Sequence, residues 1–180
     1  MLTGSDSSRA TDISGNGLVA VGSSVIARPF GQSDEAFYWT STVGIQAIGN
    51  IPNDIGFRLA SAASSDGFKI VGFRRFFTSL FTDEEAFIWD ADNGVQGLGD
   101  LSGGSFNSYA SGVSADGTTV VGYGTSDLGK EATRWTSGDG MVGLGDLAGG
   151  DTLSQASNVS TDGSIVVGFS MSSSGKEAFR

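Results

Sequence analysis

Apolar residues in this chain gather in short runs that recur, and the polar residues between them recur in step. Leu18-Val19-Ala20-Val21-Gly22, Lys69-Ile70-Val71-Gly72-Phe73, Thr118-Thr119-Val120-Val121-Gly122-Tyr123 and Ser164-Ile165-Val166-Val167-Gly168-Phe169 are four versions of one segment. Their apolar positions are consecutive rather than alternate, which marks a strand covered on both faces. A turn precedes each run: Ser14-Gly15-Asn16-Gly17, Ser64-Ser65-Asp66-Gly67, Ser114-Ala115-Asp116-Gly117 and Ser160-Thr161-Asp162-Gly163. Asp-Gly or Asn-Gly between extended segments predicts a hairpin, because glycine accepts positive φ freely and Asn and Asp tolerate it. The turn glycines are spaced by 50, 50 and 46 residues. A period in this range signals units that cannot bury their apolar faces alone and must stack on their neighbours.

The rest of each unit follows the same register. The third opens with Ser108 to Ser114, small or apolar residues alternating with polar ones. After the apolar run and a variable segment come Glu131-Ala132-Thr133-Arg134-Trp135, parallel to Glu35 to Trp39, Glu85 to Trp89 and Glu177 to Arg180. A glycine turn then leads to Met141 to Asp146, parallel to Ile45 to Asn50 and Val95 to Asp100. Four short strands in ~40–50 residues, with no helical period, is the content of one β-propeller blade. The predicted fold is therefore all-β: a β-propeller-like array of four-stranded antiparallel blades, three complete units plus a truncated fourth. It forms a single array over residues 1–180, with units near 5–50, 58–100, 105–146 and 151–180. A β-solenoid is the alternative, but its coils repeat at shorter intervals. The glycine ending each apolar run predicts close backbone approach or a bend, and the recurring Trp and Phe supply large buried areas.

Leu2-Thr3-Gly4-Ser5 parallels Leu101 to Gly104 and Leu147 to Gly150, and Arg180 aligns with Arg134. In this register the chain starts past a fourth strand and stops inside a third. Two readings follow: a piece of a longer array, which the unpaired end units favour, or chains that self-associate through unpaired blade edges to complete a ring.

Composition narrows the function. There is no histidine and no cysteine, so imidazole-based catalysis, thiolate chemistry, disulfides and the usual soft metal sites are excluded. The net charge of −10 disfavours nucleic acid and anionic membrane surfaces. No segment is apolar enough for a membrane-spanning helix, and no export signal stands in this stretch. The two prolines, Pro29 and Pro52, fall in predicted loops.

Carboxylates are the remaining candidates for chemistry. Glu35, Glu85, Glu131 and Glu177 recur at one place per unit, which argues for a shared structural job, since a catalytic pair breaks the symmetry of its scaffold. The Asp-Gly turns resemble in part the aspartate-box hairpin of some propellers. One carboxylate per turn is too few for calcium. No catalytic residue, metal site or cofactor is assigned. The least repetitive segment is the predicted loop after the second strand. It is small and polar at Gly124 to Lys130, but Arg74-Arg75-Phe76-Phe77 with Phe81 in the second unit and Val25 to Phe30 in the first. Arg with aromatics is interface composition, so Arg74, Arg75, Phe76, Phe77 and Phe81 are the candidate ligand-binding residues. The competing reading is a local cap folded over the adjacent blade.

The recurring Ser-x-Asp-Gly-x-x-Val-Val-Gly (Ser114 to Gly122), Glu-Ala-Phe-x-Trp (Glu85 to Trp89) and Gly-x-x-x-Leu-Gly-Asp-Leu (Gly94 to Leu101) resemble the HAF-type extracellular repeat of bacteria over essentially the whole chain. Every copy here has Glu where that family has His. The resemblance implies an exported protein, extracellular or on the outer-membrane surface, sometimes an autotransporter passenger, with no active site to carry over. The expected function is a non-catalytic binding module for an unidentified protein or glycan surface ligand. A carbohydrate-active propeller enzyme using paired carboxylates and a purely structural passenger segment are the alternatives.

Overall fold

The computed structural model describes residues 2, 4–28, 31–49, 54–77 and 82–180. Pro29, Phe30, Asn50, Pro52 and Phe81 lie outside the described residues, as do the side chains of Arg28 and Phe77. Among the described residues there is no helix. Fifteen strands follow the repeat: β1 (Ser5–Ile13), β2 (Ala20–Arg28), β3 (Gly31–Thr40) and β4 (Gly44–Ala47); β5 (Asp54–Ala63), β6 (Ile70–Phe77), β7 (Thr82–Asp90) and β8 (Gly94–Gly97); β9 (Tyr109–Val113), β10 (Thr119–Ser126), β11 (Gly129–Thr136) and β12 (Gly140–Gly143); β13 (Gly149–Val159), β14 (Val166–Ser172) and β15 (Gly175–Phe179). The sheets β1-β2-β3-β4 and β5-β6-β7-β8 are antiparallel meanders. The third sheet has seven strands. In it the antiparallel meanders β9 to β12 and β13 to β15 are joined through a single parallel register pair, Lys130 with Leu153.

The core lies between successive meanders. Val21, Ala36 and Ile48 of the first pack with Ala60, Ile70 and Phe87 of the second, all at most 1% exposed. Ala62, Val71, Ala86, Ile88 and Leu98 join Ala110, Val113 and Val120 of the third, flanked by Trp135 and Met141. Val121 and Ala132 join Ala156, with Val166 and Phe179 alongside. Each cluster draws on two units, as repeats that cannot stand alone require. A fully buried Phe87 contributes about 1.5–3 kcal/mol to such an interface, and Trp89 adds a ring stacked on Tyr38 at 5.1 Å.

Hydrogen bonds stitch the same interfaces. In every turn the serine hydroxyl donates to the Asp or Asn side chain two residues on: Ser14 to Asn16 at 2.7 Å, Ser64 to Asp66 and Ser114 to Asp116 at 2.6 Å, Ser160 to Asp162 at 2.5 Å. The same acceptor takes the N–H of Leu18, Phe68, Thr118 and Ser164. The hairpin is wider than the tight two-residue turn that Asp-Gly suggests. Ser64 N–H bonds the Lys69 carbonyl at 2.9 Å, leaving four residues in the loop, and Gly67 takes φ +78°. The serine-aspartate pair fills this wider loop with its own acceptors. Turns then link in series: Asn16 N–H to Ser65 O, Ser65 N–H to Ala115 O and Ala115 N–H to Thr161 O, at 2.9–3.0 Å.

Deeper in, Ser108 is fully buried. Its hydroxyl accepts the Ala86 N–H at 2.9 Å and donates to the Gly99 carbonyl at 2.6 Å, so it ties the third unit to the second. Ser154 repeats this one unit on, with Ala132 N–H and Gly145 O. At the equivalent place in the second unit stands Arg58, 2% exposed, whose Nη1 meets Glu35 Oε1 at 2.6 Å and also donates to Gly49 O.

The variable segment after the second strand is mostly strand rather than loop. β6 runs through Arg74, Arg75 and Phe76 to Phe77, paired with β7. β10 and β11 continue until only Asp127 and Leu128 separate them. Cross-strand pairing of Arg74 with Glu85 and Arg75 with Glu84, together with β-favouring aromatics, extends the ladder.

Candidate functional site: a hydroxyl row and an aromatic line

Every first strand carries a bulge at one repeat position. The register steps from Ala10–Gly22 to Asp12–Val21, from Ala60–Gly72 to Ala62–Val71, from Ala110–Gly122 to Gly112–Val121, and from Ala156–Gly168 to Asn158–Val167. The residues left without a ladder partner are Thr11, Ser61, Ser111 and Ser157. A bulge re-aims the extra side chain away from the regular pleat. The glycine opposite makes the bulge fit: a Cβ on Gly22, Gly72, Gly122 or Gly168 would stand 2.0, 1.9, 1.8 or 2.1 Å from the carbonyl oxygen of Arg9, Leu59, Tyr109 or Gln155. That is why each apolar run ends in glycine.

The four hydroxyl residues line one groove of roughly 540 Å3 with Tyr109, Tyr123, Lys130 and Gln155. Thr11 donates to the Ala60 carbonyl and Ser111 to the Ala156 carbonyl, both at 2.7 Å, crossing to the next unit. Ser61 donates to the Tyr109 hydroxyl at 3.1 Å. These bonds fix the donors inward and leave hydroxyl lone pairs as acceptors.

Beside the row runs a line of rings. Phe57 lies 6.2 Å from Phe73, Phe73 4.8 Å from Tyr109, and Tyr109 5.5 Å from Tyr123 at an interplanar angle of 3°. Cations sit at both ends: the Arg75 guanidinium 4.2 Å from the Phe57 centroid and the Lys130 ammonium 3.4 Å from the Tyr123 centroid. Lys130 also donates to Gln155 Oε1 at 3.0 Å. Burial pushes the Tyr123 phenol up, with Glu84 and Tyr109 adding to it, and burial pulls the Lys130 ammonium down. The arrangement offers ring edges and phenol hydroxyls, since the ring faces stack on one another and on the cations, together with hydroxyl acceptors and a half-buried cation. It can bind an amphipathic polar ligand, and none of these groups is set up as a nucleophile with an adjacent base.

The residues singled out from the sequence divide across β6. Arg75 stands at the end of the aromatic line and pairs with Glu84. Arg74 points to the other face, where it bridges Glu85 at 2.5 Å and lies over Phe76, whose ring meets Phe106 of the next unit edge-on at 6.0 Å. Phe76 therefore packs on the neighbouring unit, while Arg74 is held by Glu85 and Phe76 of its own. Two of the recurring glutamates serve turns: Glu131 accepts the Gly145 N–H at 2.7 Å and Glu85 the Gly99 N–H at 3.3 Å, whereas Glu35 pairs with Arg58 and Glu177 accepts the Ser172 hydroxyl. Asp100 likewise accepts N–H groups from Leu101, Asn107 and Thr125. Sequence reasoning missed the hydroxyl row. Its signal was present, as a Thr or Ser at 11, 61, 111 and 157 in the same register as the turns.

No protein-family model and no curated protein matches the chain. Solved structures do. A TolB candidate from Agrobacterium tumefaciens matches with a TM-score of 0.64 at 13% identity, over 96% of this chain and 57% of that one. TolB from Acinetobacter baumannii matches with a TM-score of 0.54 at 17% identity, over 93% of this chain and 38% of that one. The chain thus spans 57% and 38% of the length of these two structures. Likeness at this identity shows fold alone: an all-β, β-propeller-type arrangement.

Proposed function

We propose that this chain is a non-catalytic binding module on a propeller-type scaffold of four blades, three with four strands and the last with three. It acts outside the cytoplasm, extracellularly or at the outer-membrane surface, and its ligand is a glycan. The observation that carries this reading is the stacked Tyr109–Tyr123 pair set beside the bulge hydroxyls, with Lys130 at its end. The edges and hydroxyls of the stacked tyrosines supply apolar and polar contacts for a sugar ring, and the hydroxyl row and Gln155 match ring hydroxyls, a combination of apolar walls and few placed polar groups typical of small-ligand clefts. The HAF-like repeat pattern supports export and surface display.

The test is a glycan array probed with the labelled chain, followed by calorimetric titration of the best glycan. Tyr123→Ala and Ser111→Ala are expected to weaken binding by about tenfold or more, the size of one lost hydrogen-bond contact. An array with no saturable glycan, or a Tyr123→Ala variant that binds as well as the parent, would overturn the proposal.

A further inference from the structure

The lysine of the groove has no counterion. Arg58, Lys69, Arg74, Arg75 and Arg134 each pair with a carboxylate, as a chain of net charge −10 allows. Lys130, half-buried, meets no carboxylate among the described residues. Its Nζ donates to the neutral Gln155 Oε1 at 3.0 Å and lies over the Tyr123 ring. The repeat shows how the same ladder position is neutralised elsewhere. The residue before the recurring glutamate is Glu84 in the second unit and Lys130 in the third. Glu84 faces Arg75 across the ladder and pairs with it, whereas Lys130 faces Thr125. The place is an interior seam, where β11 meets β13. Burial pulls the Lys130 ammonium down, and an anion beside it reverses that pull.

Gln155 adds a second donor. Lys130 occupies its amide oxygen, and its NH2 group has no hydrogen-bond partner among the described residues. An ammonium and an amide NH2 side by side complement two oxygens of one anion, and such charge-assisted bonds are about twice as strong as neutral ones. Elsewhere the groove is built for hydroxyl groups. Thr11 and Ser111 spend their protons on the next unit and present lone pairs, and the Glu84 charge is close enough to help raise the Tyr123 phenol.

Given the glycan-binding reading above, on which this rests, we propose that the ligand of the groove is an acidic saccharide. Its carboxylate or sulfate ester seats on Lys130 Nζ and Gln155 Nε2, and its ring hydroxyls donate to Thr11 and Ser111.

The experiment applies the labelled chain to an array on which every acidic glycan stands beside its carboxyl-reduced or desulfated counterpart, and titrates the binding pairs by calorimetry. The acidic member is expected to bind about ten- to a hundredfold more tightly, the size of one charge-assisted contact. Whether carboxyl-reduced or desulfated pairs show the difference identifies the acid. Lys130→Gln should bring the ratio close to one, and Lys130→Arg should keep part of it. Gln155→Glu gives Lys130 the kind of carboxylate partner that Arg75 already has. It should also bring the ratio close to one without lowering Tm, a result that a purely packing role for Lys130 does not produce. Equal affinity for the neutral counterparts, or an acidic preference that survives Lys130→Gln, overturns this inference and leaves glycan binding standing. No saturable glycan of either kind overturns the glycan reading itself. Poly-glutamate bound in place of any glycan, and lost in Lys130→Gln, would give the donor pair to an acidic peptide and overturn both.

Discussion

Removing one hydroxyl, Ser108→Ala, tests whether the units are held by buried polar staples as well as by apolar contact. Ser108 is 0% exposed and its Oγ satisfies two backbone groups of the preceding unit, the Ala86 N–H and the Gly99 carbonyl. Alanine fits without a clash and leaves both groups without that partner. An orphaned buried donor or acceptor costs about 1–3 kcal/mol, and carbonyls, with two lone pairs, sit lower in that range. The sum is about 3 kcal/mol, which for a chain of 180 residues lowers Tm by roughly 6–12 °C. Differential scanning calorimetry reads it directly. Ser154→Ala supplies the internal comparison. It makes the same two bonds, but Gly145 is exposed and its carbonyl can turn to water, so its Tm loss should be smaller. A Ser108→Ala shift under ~2 °C, or a larger loss at Ser154, would refute the staple argument.

The remaining expectations concern the bulge, the buried ion pair and the turns. Gly122→Ala puts a methyl 1.8 Å from the Tyr109 carbonyl and is expected to cost about 2–4 kcal/mol in urea unfolding, whereas Gly138→Ala, with nothing within 4 Å, should stay within about 0.5 kcal/mol. Arg58→Ala removes one partner of a buried pair and should cost about 3–5 kcal/mol. Arg58→Ser restores the residue found at 108 and 154 and should recover at least ~1 kcal/mol of that loss, measured by the same urea midpoints. The serine hydroxyls and backbone N–H groups hold the Asp66 and Asp116 carboxyls below the ordinary value and bring Asp162 to about 2. A depressed folded pKa gives stability that is complete above the unfolded value near 4 and is lost as pH falls through the folded value. Replacing all three by Asn, as residue 16 already is, should flatten the stability profile between pH 4 and 2.

Strands, turns and the interface between units were readable because their signals are local and recur: Asp-Gly after a serine, a doublet of β-branched residues, one aromatic per unit. The extension of β6 through Arg74 to Phe77 was not, because Arg-rich segments read as loop until cross-strand glutamates are in place. The bulges were hidden for a related reason. Ser108 to Ser114 alternates regularly on paper, and only the partner strand shows that Ser111 has no opposite number. Arg58 was missed because its role depends on Glu35, 23 residues away, and on Ser108 and Ser154 holding the same place elsewhere. The site therefore emerged from pairing, which one strand's text does not encode.

The bulge has a consequence for how such a chain diversifies. In each unit a single side chain is excused from both the ladder and the core, while the glycine across from it carries the steric constraint. Residues 11, 61, 111 and 157 can therefore change identity without disturbing the ladder or the apolar clusters, at the cost of the hydrogen bonds that Thr11, Ser61 and Ser111 make to the next unit. An array built this way can acquire a new specificity by point substitution on one inner wall, with its architecture left as it was.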